Sequence, residues 1–104
     1  MSSSLSKRLR QLMVDGSLTV RDLQRWLARP YPTVRMWATG GHEPWEVWRE
    51  EIERNVSLLE HLVAKSPDFP IPASFSPSDR RELIERLANE RDQRLSRRRS
   101  AARR

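Results

Sequence analysis

The sequence predicts an all-α fold, on three observations. Apolar residues recur at three- and four-residue steps through most of the chain, no strand pattern is evident, and prolines and glycines punctuate the helical stretches. In chain order these predict a first helical unit at 1–43, a long amphipathic helix at 44–66, a proline-rich linker at 67–76, and a C-terminal helix with an arginine-rich tail at 77–104.

In the first unit, Leu5, Leu9, Leu12 and Met13 mark one face of a helix over 4–15, which Ser4 or an earlier serine can cap and Gly16 can end. A second helix opens at Thr19 and places Leu23, Trp26 and Leu27 on one stripe, with Arg21 and Arg25 on the other side. Pro30 interrupts it by pushing Arg29 out of helical geometry. A third helix is readable from Tyr31 to about Thr39, with Val34 and Trp37 on its buried side and Gly40-Gly41 at its end. Pro32 falls in the first turn, where a missing amide proton costs nothing.

From Pro44 the pattern changes to a longer run. Trp45, Trp48, Ile52, Val56, Leu59 and Val63 predict one helix of about 20 residues, roughly 30 Å long, with a glutamate-rich outer face and i,i+4 support from pairs such as Glu50–Arg54. Pro67, Pro70 and Pro72 predict a stiff extended connection. Ser76-Pro77-Ser78-Asp79 reads as a helix start, and Leu83, Ile84, Leu87 and Leu95 give that helix a narrow stripe. It is expected to dissolve in RLSRRRSAARR, which has little apolar content.

Charge divides the chain into three blocks. Residues 1–41 carry seven basic and two acidic groups, 42–92 seven basic and twelve acidic, and 93–104 six arginines and no acid. The net charges are +5, −5 and +6, so the ends attract a polyanion and the middle repels one. With no cysteine, disulfides and thiolate metal sites are excluded. His42 and His61 lack metal-ligand spacing, and no glycine-rich phosphate loop or nucleophile with its base is recognisable. No cofactor, metal or catalytic activity is expected. No apolar run approaches the roughly 20 residues of a membrane span, so no membrane partner is expected.

Two short helices joined by about three residues have the spacing of a DNA-binding helix-turn-helix. Packing of Leu23, Leu27, Val34 and Trp37 leaves Tyr31, Pro32, Arg35, Met36 and Thr39 outward, where Arg35 can read guanine or bind phosphate, and Tyr31 and Met36 can meet thymine methyls. The segment LTVRDLQRWLARPYPTVRMWATGGHEP resembles the phage-repressor (lambda and Cro/C1-like) helix-turn-helix family. Leu18, Thr19, Leu23, Ala28, Thr33, Val34, Trp37, Gly40 and Pro44 fall into the family's register without a gap, over 27 residues. The resemblance implies a helix-turn-helix DNA-binding domain at 1–43, with Tyr31, Pro32 and Met36 facing bases and Thr19, Arg21, Thr33, Thr39 and His42 near the DNA backbone. Arg29, in the turn, joins that set of expected DNA contacts. The chain departs from the pattern at Val20, where the family often has glutamine, and at Pro30 and Pro32, so its reading face is short of hydrogen-bonding groups.

Two further surfaces are expected. The seam Ile52, Asn55, Val56, Leu59, Leu62 and Val63 is expected to meet a second copy, giving a homodimer or higher homo-oligomer, with the tryptophan end of the helix against the first unit. Arg97, Arg98, Arg99, Arg103 and Arg104 are expected to contact a polyanion. The leading expectation is a small dimeric transcriptional regulator of phage or prophage type. It would bind double-stranded DNA in the cytoplasm of a bacterial or phage-infected cell, associated with the nucleoid. The alternatives are an oligomeric DNA-recognition adaptor like the small subunit of a phage packaging terminase, and an inhibitor that binds a protein partner through the acidic middle helix or the C-terminal helix.

Overall fold

A computed structural model describes residues 4–40 and 42–102. It contains α1 (Ser4–Asp15), α2 (Val20–Leu27), α3 (Tyr31–Thr39), α4 (Glu46–Lys65) and α5 (Pro77–Ala102), with no strand among the described residues. The fold is all-α, as the apolar spacing predicts.

Local exchanges set several of the boundaries. At the start of α2 the Asp22 amide donates to Thr19 Oγ1 (3.1 Å) and the Thr19 amide donates to Asp22 Oδ2 (2.9 Å). Ser76 and Asp79 repeat the exchange ahead of α5, at 3.1 and 3.0 Å. Gly16 ends α1 by donating to the Leu12 carbonyl at 2.9 Å. Gly40 caps α3 in the left-handed region at φ 84°. A side chain there would also crowd Ser6, whose hydroxyl lies 3.3 Å from the Cβ position and donates to the Ala38 carbonyl, so α1 passes close against the end of α3.

The core runs through every segment of the chain. Leu5, Leu9 and Leu12 of α1, Leu23, Trp26 and Leu27 of α2, and Val34 and Trp37 of α3 pack with Ile52, Val56 and Leu59 of α4 and with Leu83, Ile84 and Leu87 of α5. The proline segment contributes Phe69 and Ile71 to the same core, and the Ile71 amide donates to the Gly16 carbonyl at 2.9 Å. Burial alternates through residues 69 to 72 across a bend at Pro70, with Phe69 and Ile71 buried and Pro70 and Pro72 exposed. The stretch expected to be a connecting linker is thus part of the packed body.

Arginines stitch the helices together. Arg8 of α1 bonds Glu53, Glu60 and Ser57 along α4. The hydrogen bond to Glu60 holds its guanidinium further toward the charged form, opposed by partial burial and reinforced by Glu53. Arg80 of α5 donates to the buried Asp22 carboxylate at 2.8 Å and to the Ser17 carbonyl. Arg91 lies 4.5 Å from the Trp26 ring centroid and donates to the Trp26 carbonyl at 2.6 Å.

Three expectations are corrected here. Ile52, Asn55, Val56 and Leu59 are all buried inside the single chain, and Leu62 and Val63 pack against the same core. The seam expected to meet a second copy therefore packs chiefly against α1 and α2, because a helical stripe records that a face is buried and not what buries it. Trp48 is half-buried, but Trp45 is 73% exposed, so the tryptophan end is only partly against the first unit. Finally, α5 continues to Ala102 instead of dissolving after Leu95. Arginine and alanine are good helix formers, and residues added to an existing helix need no new nucleus. No described helix is long and apolar enough to cross a membrane.

Candidate nucleic-acid interface

The segment joining α2 to α3 is three residues long and has a definite shape. Ala28 adopts the left-handed conformation at φ 54°, ψ 48°, and its amide donates to the Gln24 carbonyl. Pro30 then starts α3 from extended geometry, and the Val34 amide donates to the Pro30 carbonyl at 3.1 Å. With Pro30 outside the helix and Pro32 in its first turn, proline rigidity is used where no helical hydrogen bond is lost.

The position of α3 follows from one buried stripe. Val34, Trp37 and Ala38 turn inward against α1 and α2. Pro32, Arg35, Met36 and Thr39 are all exposed, and their spacing of three, one and three residues puts them on one face. Met36 is 41% exposed, which leaves an apolar side chain in water next in sequence to Arg35. Tyr31 and Thr33 are half-buried at the edges of this stripe. Arg21, exposed on α2, lies with its guanidinium carbon 4.4 Å from the Tyr31 ring centroid, so the start of α2 and the start of α3 are joined by a cation–π contact.

The remaining expected contacts divide into available and committed groups. Thr19 is exposed, although its hydroxyl oxygen already accepts the Asp22 amide. Thr39 is exposed too, but its hydroxyl donates within α3 to the Arg35 and Met36 carbonyls. His42 is exposed just beyond α3. Arg29 does not belong with them. Its side chain is only 15% exposed, it donates to Glu51 at 2.7 Å and to the Leu27 and Ala28 carbonyls, and it stacks 4.9 Å from the Trp48 ring centroid. Arg29 holds the turn onto α4, and an incoming phosphate would have to displace a carboxylate that is already in place.

The basic charge of the first block is thereby redistributed. Arg8 and Arg29 are neutralised by glutamates of α4, and Arg25 sits 3.9 Å from Asp22. Lys7, Arg10, Arg21 and Arg35 are exposed with no carboxylate partner among the described residues. In the tail, Arg97 is exposed, while the side chains of Arg98 and Arg99, and Arg103 and Arg104 entirely, lie outside the described residues. No cluster of three or more potential metal ligands occurs among the described residues.

Sequence reasoning overlooked Asp22, which is 1% exposed and ties Thr19, Arg25 and Arg80 together beneath the α2–α3 unit. The signal was present, since an acid three residues after a capping threonine is one half of a capping box. Comparison with protein-family models, with curated proteins and with solved structures gives no match.

Proposed function

We propose that this protein binds double-stranded DNA by laying α3 in the major groove, and that it acts as a small transcriptional regulator of phage or prophage type at the bacterial nucleoid. The observation that carries this reading is the stripe Pro32, Arg35, Met36 and Thr39, exposed together opposite the buried Val34, Trp37 and Ala38. A short helix held from behind with a rigid outer face is the geometry that a groove reader of the helix-turn-helix kind requires.

Each side chain then has a role set by its chemistry. Arg35 donates to guanine or to phosphate, and Met36 and Tyr31 supply apolar contact for thymine methyls. Arg21, held over the Tyr31 ring, is a phosphate contact with restricted freedom, which lowers the entropy cost of binding. The stripe lacks the amide side chains that read adenine bidentately, so a large share of the recognition falls on DNA shape and backbone contacts.

The test is binding of the intact protein to genomic fragments at physiological salt, followed by footprinting of the retained sequence. A short protected site, with affinity falling as salt rises and lost on Arg35→Ala with Arg21→Ala, supports the reading. Equal binding by the double variant would assign the DNA contact to another surface, and no binding at low salt would remove DNA from the account altogether.

A further inference from the structure

Five aromatic rings in this chain are tryptophan or tyrosine, and three of them carry an arginine. Arg91 lies over Trp26, Arg21 over Tyr31 and Arg29 over Trp48, at 4.5, 4.4 and 4.9 Å from the ring centroids. Trp37 is closed inside the core. That leaves Trp45, 73% exposed and followed by Val47 at 78%, with no arginine on its ring among the described residues. Trp45 stacks on Trp48 with centroids 5.7 Å apart and planes 16° from parallel. Arg29 already packs on Trp48, which leaves Trp45 as the open end of the group.

The sequence on either side of this open ring is acidic. Residues 42–51 contain Glu43, Glu46, Glu50 and Glu51 and one arginine, Arg49, which pairs with Glu43 at 3.6 Å; Glu51 is taken by Arg29. An exposed indole among carboxylates disfavours a polyanion and favours a planar cation, which gains from ring and charge together. The chain contains such a ligand. Residues 93–104 carry six arginines and no acid. Within the molecule α5 continues unbroken to Ala102, and none of the described arginines lies on the Trp45 ring.

We propose that Trp45, with Glu46 and Glu50, is a docking surface for the arginine-rich C-terminal end of a second copy of this chain. The two surfaces in such a contact differ, so the association is head-to-tail and builds a ring or an open chain of copies instead of a two-fold dimer. This surface is separate from the α4 stripe, which is spent inside the chain, and it does not depend on whether α3 binds DNA.

Complementation between two full-length variants tests the proposal. Trp45→Ala keeps the tail and loses the ring, whereas Arg97→Ala/Arg98→Ala/Arg99→Ala keeps the ring and loses the tail. Mass in solution is measured over a range of concentrations, with circular dichroism confirming that each variant remains helical. The native protein is expected to self-associate at low salt and to dissociate in about 1 M salt, where the screening length falls to about 3 Å. Each variant alone is expected to self-associate about tenfold more weakly. Mixed together they should form a one-to-one pair that grows no further, since each supplies the half the other lacks. A native protein that stays monomeric at low salt overturns the proposal. So does self-association unchanged by Trp45→Ala, failure of the mixture to pair, or a tail variant that loses DNA affinity while associating as before.

Discussion

The outer stripe of α3 and the exposed start of α4 are built alike and set in opposite electric fields. Each helix begins beside a proline, Pro30 or Pro44, without a capping side chain, and each leaves apolar groups in water, Met36 on one and Trp45 with Val47 on the other. Around α3 the exposed charges are Arg21 and Arg35, while residues 42–51 carry four glutamates and one arginine. Exposed apolar surface identifies a place of contact, and the surrounding field selects the sign of the partner. A polyanion suits the first surface and a polycation the second. Arg29 and Glu51 lie on the boundary, each neutralising the other.

The largest expected effect is on the platform beneath both surfaces. Asp22→Ala deletes a buried carboxylate that caps α2 and anchors Arg80 of α5, and should lower unfolding stability by about 3 kcal/mol in urea denaturation. A loss under about 1 kcal/mol would mean that α5 holds to α2 by apolar packing alone. Leu59→Ala should cost a comparable amount, about 3 kcal/mol, with no change in the mass of the protein at moderate concentration. If mass fell while stability held, the α4 stripe would be an interface after all.

Smaller effects separate the two surfaces. Arg35→Ala should weaken DNA binding about tenfold, with the urea midpoint unmoved, because Arg35 is exposed and makes no ion pair among the described residues. Arg29→Ala, by contrast, should change DNA affinity less than about twofold and cost about 0.5 to 1 kcal/mol of stability, since its partner Glu51 is half exposed. Equal losses of affinity in these two variants would erase the distinction between an available and a committed arginine. The smallest change should come from Trp45→Ala, within about 0.5 kcal/mol in unfolding. A larger loss would show that the indole supports the fold instead of standing open for a partner.

Much of the architecture was legible because it is written in short-range signals. Thr19 with Asp22, and Ser76 with Asp79, sit three residues apart, and Gly40 follows directly on the turn it ends. The outward stripe of α3 was legible for the same reason, since Val34 and Trp37 indicate the buried side and helical geometry then determines the opposite one. Trp45 misled the count of the α4 stripe because it precedes the helix and does not share its periodicity. Phe69 and Ile71 were hidden among prolines, whose stiffness suggested a spacer, although an irregular segment lying against the body can still send side chains into a core. The fate of Arg29 was not legible at all, because its partners Trp48 and Glu51 follow by about 20 residues on another helix.

By itself the sequence determined the helical class, the main helix boundaries, the sign of each charge block and the outward face of α3. These depend on backbone preferences and on neighbours within about one or two helical turns. Only the tertiary structure decided which arginines stay available, what covers the α4 stripe, and that the proline segment and α5 belong to the common core. Those outcomes rest on contacts between residues far apart in the chain, such as Arg80 with Asp22 and Arg8 with Glu60. Periodicity names a face without naming its partner, and a charge is spent or kept only when the folded chain brings its counterpart within reach.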